Sequence, residues 1–130
     1  MFKDNNIVLN IQPTEEALSL IRLIISFYCQ YLDFDIDEVD RLKFSVTSLI
    51  QSLKPFWIDQ DSIKIQVSYK LEEIVMKLSL PTNSEHKTSI NLDNENIKII
   101  KALVDDLTFE KNNDKELVFQ ISKTKRNKYG

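Results

Sequence analysis

The chain has 130 residues, of which 42% are hydrophobic and 28% charged, and its formal net charge at pH 7 is −3. This length and balance predict a single globular domain over residues 1–130 and exclude a disordered chain. The acidic charge offers no general attraction to nucleic acid or to an anionic membrane, so we expect neither as a partner. The only cysteine, Cys29, excludes an intramolecular disulfide and suits the cytoplasm, where we expect the protein to be.

The first half of the chain predicts one strand followed by two helices. Ile7, Leu9 and Ile11 alternate with Val8, Asn10 and Gln12, as the two faces of a short strand do, and Pro13 ends the strand. Thr14 is typical of a helix cap, and the apolar helix after it extends to about Leu32. A second helix begins near Asp37, has apolar residues at helical spacing and is bounded by Pro55.

The second half predicts four strands and a third helix. Residues 63–69 and 74–80 have the period of two that is typical of strands, and a polar loop over 81–96 follows them. The loop leads to a helix over 97–104 and then to a closing hairpin of 107–111 and 117–121. The order predicts an α+β fold. The predicted architecture is a two-layer sandwich with a mostly antiparallel five-stranded sheet and three helices on one face.

Glycine is nearly absent, because Gly130 is the only one in the chain. Loops that surround a phosphate with backbone N–H groups need glycine, since only glycine adopts positive φ without a steric cost. The glycine-rich nucleotide motifs are therefore excluded. His86 is the only histidine and Cys29 the only cysteine, so these residue types cannot form a cluster of metal ligands. We therefore expect no metal site and no cofactor.

The order of elements, together with particular residues, resembles the anti-sigma-factor serine kinases of bacterial sporulation and general stress. These proteins belong to the ATPase superfamily of gyrase and histidine kinases. The resemblance is carried by residues 34–46 (FDIDEVDRLKFSV), which are similar to the start of that family's second helix, and by residues 20–23 (LIRL) in its first helix. Residues 97–123 have the pattern of its last helix and hairpin.

The resemblance implies a degenerate member of that family, because the residues of the ATP site differ. The family's second helix continues Glu-Ala-x-x-Asn-Ala, with a base and a Mg²⁺ ligand, whereas residues 48–53 are SLIQSL and place Ser48 and Ser52 there. Residues 79–82 (SLPT) lack the acid that reads adenine and the glycines after it. Residues 97–100 (IKII) replace the glycine that opens the last helix. We therefore expect a protein that is not an enzyme.

The resemblance implies a non-catalytic regulatory protein that binds a sigma factor or an anti-anti-sigma protein. In that family the first helix faces the sigma factor, so Arg22 is the predicted partner-binding residue, facing an acidic group of the partner. Two alternatives stay open. One is a residual ATP-binding serine-protein kinase with a rearranged site, with Asp35, Asp37, Glu38 and Asp40 near a metal. The other is a structural module that forms a homodimer.

Two further features have more than one interpretation. The first helix has one narrow polar stripe, and its apolar arc is about twice the width that one sheet needs. Either a neighbouring helix covers the surplus, or the arc binds a partner or a second copy. The last residues, from about 123 to 130, contain Lys123, Lys125, Arg126 and Lys128 and predict a basic, solubilising tail.

Overall fold

The computed structural model describes residues 6–12, 14–53, 62–81, 95–112 and 116–125. Pro13, the boundary at Pro55, most of the polar loop with His86, the turn at 113–115 and the tail after residue 125 lie outside these ranges. The elements in chain order are β1 (Asn6–Ile11), α1 (Glu15–Tyr31), α2 (Ile36–Leu53), β2 (Ile63–Lys70), β3 (Glu73–Pro81), α3 (Glu95–Leu103), β4 (Asp106–Asn112) and β5 (Glu116–Thr124). The predicted order of elements is confirmed.

The five strands form one sheet in the order β1-β2-β3-β5-β4, and every neighbouring pair is antiparallel. The last strand, β5, therefore lies inside the sheet between β3 and β4. The two edges of the sheet are β1 and β4. The predicted α+β sandwich with an antiparallel five-stranded sheet is confirmed.

One face of the sheet is apolar and is covered by the helices. In β2, for example, Ile63, Ile65 and Val67 are buried while Lys64 and Lys70 on the opposite face are exposed. The buried strand residues form one core with buried residues of all three helices. The helices follow one another across the sheet, because α1 packs on α2, α2 packs on α3, and α3 contacts β4 at the far edge. The first helix therefore lies toward the β1 edge.

Helix α1 begins at a polar cap and ends without glycine. The Thr14 side chain accepts a hydrogen bond from the Ala17 N–H at 3.1 Å, which confirms the predicted cap. At the other end Asp33 adopts φ 61°, the left-handed conformation that usually requires glycine. The Asp33 N–H donates to the Gln30 carbonyl, and the Phe34 N–H donates to the Cys29 carbonyl at 2.8 Å. This pair of bonds is a Schellman motif, built on aspartate because its short polar side chain tolerates this conformation.

Candidate functional site

The resemblance in sequence matches two serines of α2 with the base and the metal ligand of the anti-sigma-factor kinases. Ser48 and Ser52 lie one turn apart on α2, and both side chains are half-buried. A serine hydroxyl is neutral and keeps its proton at neutral pH, so it supplies neither the proton acceptor nor the negative charge of that site. Helix α2 is continuous through both serines.

The elements around these serines are apolar. Leu80 near the end of β3 is 1% exposed, and Ser79 before it lies half-buried on the opposite face of the sheet. At the start of α3, Ile97 is 4% exposed and Ile100 is fully buried. Since α3 packs on α2, these isoleucines lie in the core between α3 and the rest of the domain. Residues 82–94, which connect β3 and α3, lie outside the described residues.

Asp35 and Glu38 at the start of α2 form a helix cap. The Glu38 N–H donates to Asp35 Oδ1 at 2.9 Å, and the Asp35 N–H donates to Glu38 Oε1 at 3.2 Å. This reciprocal pair is a capping box, in which each carboxylate satisfies a backbone donor that the helix leaves unpaired. In the described part of the chain, no group of three or more His, Cys, Asp or Glu residues is placed to hold a metal ion.

Arg22 lies on the side of α1 that faces α2. Its side chain is half-buried. Ser26, one turn later on the same side of α1, lines a groove between the two helices. The packing of α2 beside this part of α1 accounts for the partial burial of Arg22. Its predicted role in partner binding stays a prediction.

Among the described elements, no helix covers the apolar flank of α1. Successive residues of a helix are about 100° apart around its axis. Because α2 packs against the side of α1 with Ser26 and Gln30, the surplus apolar residues on the other side of α1 turn outward. Of the two interpretations of the wide apolar arc, coverage by a neighbouring helix is wrong for these residues. Leu20 is 45% exposed, Phe27 62% and Tyr31 59%, while Ala17 and Ile24 between them are half-buried. We call these five residues, Ala17, Leu20, Ile24, Phe27 and Tyr31, the α1 seam.

The groove between α1 and α2 was not predicted from the sequence. It has a volume of about 410 Å³ and is lined by Ser26, Gln30, Asp33, Phe34, Ile36, Val39, Asp40 and Lys43. Its unexpected member is Ile36, which has the helical spacing of a core residue and yet is 76% exposed. Ile36 is the first residue of α2. The first turn of a helix can project past the elements beneath it, and spacing alone does not show this.

The predicted basic tail begins later than expected. Lys123 lies in β5 opposite Ile74 of β3, so its side chain points toward the helix layer, and it is only 2% exposed. Its ammonium group lies 3.9 Å from Asp105 Oδ2, just after α3. Lys125 after the strand lies 3.7 Å from Asp33 Oδ2. These two lysines therefore belong to the folded domain, because strand pairing extends through Thr124.

Within the described residues, the helices are too short or too polar to cross a membrane. No protein-family model matches the chain, and no curated protein is significantly similar to it in sequence. Its fold is similar to the crystal structure of the RsbU and RsbW domains of Rv1364c from Mycobacterium tuberculosis. The TM-score is 0.68 at 9% sequence identity, over 94% of this chain and 33% of that one. The chain therefore spans about a third of that protein, and the likeness concerns the fold.

Proposed function

We propose that the chain is a non-catalytic regulatory protein of the anti-sigma type. It acts by binding a sigma factor or an anti-anti-sigma protein and does not turn over ATP. The observation that supports this proposal is a continuous α2 helix that carries Ser48 and Ser52, which the resemblance matches with the base and the metal ligand. A preserved scaffold without these groups keeps surfaces for protein binding and loses the means for phosphoryl transfer.

The structural similarity supports the regulatory part of this proposal. The resemblance in residues 34–46 and the similarity to an RsbW-containing structure point to the same type of regulator, although they are independent observations. At 9% identity the similarity shows the fold, and a shared fold suggests a function only by analogy. The test must therefore address the nucleotide and the partner separately.

The partner surface that we propose is the side of α1 with Arg22 and the adjoining α1–α2 groove. The groove combines apolar walls from Phe34, Ile36 and Val39 with charges on its rim, which suits one side of an amphipathic helix. Arg22 lies one turn before Ser26 on the same side of α1. Its guanidinium would orient an acidic residue of the partner by paired hydrogen bonds.

The nucleotide test measures the thermal unfolding of the purified protein with millimolar Mg-ATP and with Mg-ADP. A ligand that binds only the folded state stabilises it by about 2.7 kcal/mol at a hundredfold excess over Kd. We expect no shift in Tm with either nucleotide. A clear shift together with Mg²⁺-dependent ATP hydrolysis would support the residual kinase and overturn the non-catalytic proposal.

The partner test measures binding of the purified protein to the sigma factors and small anti-anti-sigma proteins of its own genome. We expect one of them to bind, and Arg22→Glu to weaken that complex at least about tenfold, because the variant opposes like charges. Lys77→Glu is the matched control, since it reverses an exposed charge on the open face of the sheet and should leave affinity unchanged. Arg22 is half-buried, so the fold of its variant is checked first.

Two results would contradict this assignment. Failure of every sigma factor and anti-anti-sigma protein to bind would refute the proposed partner class. Equal affinities of the folded Arg22→Glu variant and the wild-type protein would instead leave the class intact and remove Arg22 from the interface.

A further inference from the structure

The edge of the sheet at β4 lies opposite the edge beside α1. In the described part of the chain β4 (Asp106–Asn112) pairs only with β5, so its outer side presents backbone N–H and C=O groups without a strand beside them. We call this outer side the β4 edge. Since α1 lies toward β1 at the other end of the strand order, an occupant of the β4 edge would not meet Arg22 or the α1–α2 groove.

The two faces of β4 differ in their chemistry. Leu107 and Phe109 face the helix layer and are half-buried, and the ring centroid of Phe109 lies 5.0 Å from that of the buried Phe119 on β5. Asp106 and Glu110 lie on the open face and are exposed. A strand added beside β4 would place its alternate residues over these same two faces, at the same spacing. It would extend the apolar contact on one face and meet two carboxylates on the other.

A pocket on the open face lies beside these carboxylates. It has a volume of about 270 Å³ and is lined by residues of β3, β4 and β5, among them Glu110, Glu116 and Gln120. Lys77 of β3 also lines it, two strands away from the β4 edge. Neighbouring strands are about 4.8 Å apart, so a long side chain from an added strand reaches across β4 into this pocket. The two carboxylates outweigh the single ammonium group and favour arginine or lysine there.

Charges on an edge strand usually protect it against aggregation, and the carboxylates of β4 do so against most strands. Their effect depends on the sign of the approaching charge. Asp106 and Glu110 repel an acidic strand, and an apolar strand would remove their water without replacing it by a counter-charge. A strand with basic residues on this face instead pairs with both carboxylates. The β4 edge is therefore closed to general association and open to one kind of strand.

We propose that the β4 edge binds an extended segment of a partner protein as a sixth strand of the sheet. The arginine or lysine residues of this segment face Asp106 and Glu110. Its apolar residues alternate with the basic ones and cover Leu107 and Phe109. Main-chain hydrogen bonds along the edge supply affinity, and the alternation of side chains supplies specificity, as in other cases of strand addition. The proposal does not depend on the sigma-factor-type partner, whose surface we place on α1.

The test measures binding of the full chain to a short fluorescent peptide in which arginine and valine alternate, by fluorescence anisotropy at physiological salt. We expect binding, and we expect Glu110→Lys to weaken it at least about tenfold, because the variant turns an attraction into a repulsion. Glu72→Lys is the matched control, since it makes the same change of charge at an exposed position in the turn between β2 and β3. It should bind like the wild-type protein. Circular dichroism verifies that both variants fold.

Backbone pairing has a readout of its own that needs no variant of the protein. Two copies of the peptide are N-methylated at alternate amides, each copy along a different edge of the extended chain. Since a single edge of the peptide faces β4, we expect one copy to lose its affinity and the other to keep it. Equal affinities of the two copies would overturn the proposal, as would a wild-type protein that does not bind the arginine–valine peptide, or an equal loss in Glu72→Lys and Glu110→Lys. Self-association of the wild-type protein that Glu110→Lys abolishes would give the β4 edge to a second copy instead.

Discussion

Cys29 carries a thiol that burial makes unreactive. It lies on the inner side of α1 and is completely buried. Burial raises the pKa of its thiol to about 12. Lys43 lowers this pKa and Glu38 raises it, but both effects are smaller than that of burial. Because the thiolate is the reactive form, we expect no labelling by a thiol reagent at pH 8 until the protein unfolds. Rapid labelling of the native protein at this pH would contradict the burial of this side chain.

The raised pKa of Cys29 also makes a prediction about stability against pH. The folded state favours the neutral thiol, so this contribution is complete below the ordinary pKa of 9.0 and is lost as the pH rises toward about 12. Urea unfolding between pH 8 and pH 11 should therefore show a steeper loss for the wild-type protein than for Cys29→Ala. The comparison of the two proteins removes the titration of lysines and tyrosines that they share. Parallel curves would contradict the prediction.

Leu71 occupies a position where glycine is the usual choice. It lies in the two-residue turn between β2 and β3 with φ 56°, and its side chain is 84% exposed. A residue with a Cβ atom adopts this conformation at a cost of about 1–2 kcal/mol, and Leu71 recovers little by burial. We expect Leu71→Asn to stabilise the protein by ~0.5–1 kcal/mol in urea unfolding. Leu71→Ala, which keeps the Cβ and removes the same exposed side chain, should not stabilise it.

At the scale of the element, the end of β5 is tied to the turn after α3 by one carboxylate. Asp105 Oδ2 accepts a hydrogen bond from the Thr124 N–H and lies 3.9 Å from the buried Lys123 ammonium. Asp105→Asn keeps an acceptor but leaves the buried cation without this charge, so we expect a loss of about 1–3 kcal/mol. Lys123→Met removes the charge and keeps the apolar stem, so its effect should stay within about 1 kcal/mol.

We predict that Asp105→Asn loses more stability than Lys123→Met, as measured by urea unfolding. Thr124 and the strand register are the same in both variants, so the difference reports the buried charge. A greater loss for Lys123→Met than for Asp105→Asn would mean that the lysine stem, and not its charge, determines the stability here.

The helices and strands were predictable from the sequence because their periods differ. Alternation in residues 63–69 can serve only a half-buried strand, and the spacing in α2 serves only a helix. The side on which a helix packs was harder to predict. The sequence did not show on which side of α1 the helix α2 packs. It packs beside the polar stripe, where Ser26 and Gln30 line a groove between the two helices. Lys123 similarly looked like part of a tail, since local charge does not show how far a strand continues.

The candidate site was predictable in part. The sequence could name Ser48, Ser52 and Arg22, because the resemblance aligns short motifs with positions. It could not place Ile36 on a groove or show that the flank with Phe27 is open. Both depend on how helices pack across the sheet, which requires coordinates of three elements together.

At the scale of the whole molecule, the fold and the chemistry have separate determinants. A TM-score of 0.68 at 9% identity means that very different side chains support the same arrangement of backbone. What the core requires is apolar volume on the correct faces, and the chain supplies it with isoleucine, leucine and valine. Catalysis requires particular groups at particular positions, so it can be lost while the packing remains.

The last prediction follows from this separation. Replacing Ser48 with Glu and Ser52 with Asn restores two groups of the resembled site, but we expect no Mg²⁺-dependent ATP hydrolysis from the double variant. Ile97 and Ile100 would still fill the start of α3, and no glycine would let the backbone approach a phosphate. A thermal shift with Mg-ATP separates binding from turnover, and circular dichroism verifies the fold. Hydrolysis above the wild-type level would mean that residues 82–94 can form a nucleotide site without glycine.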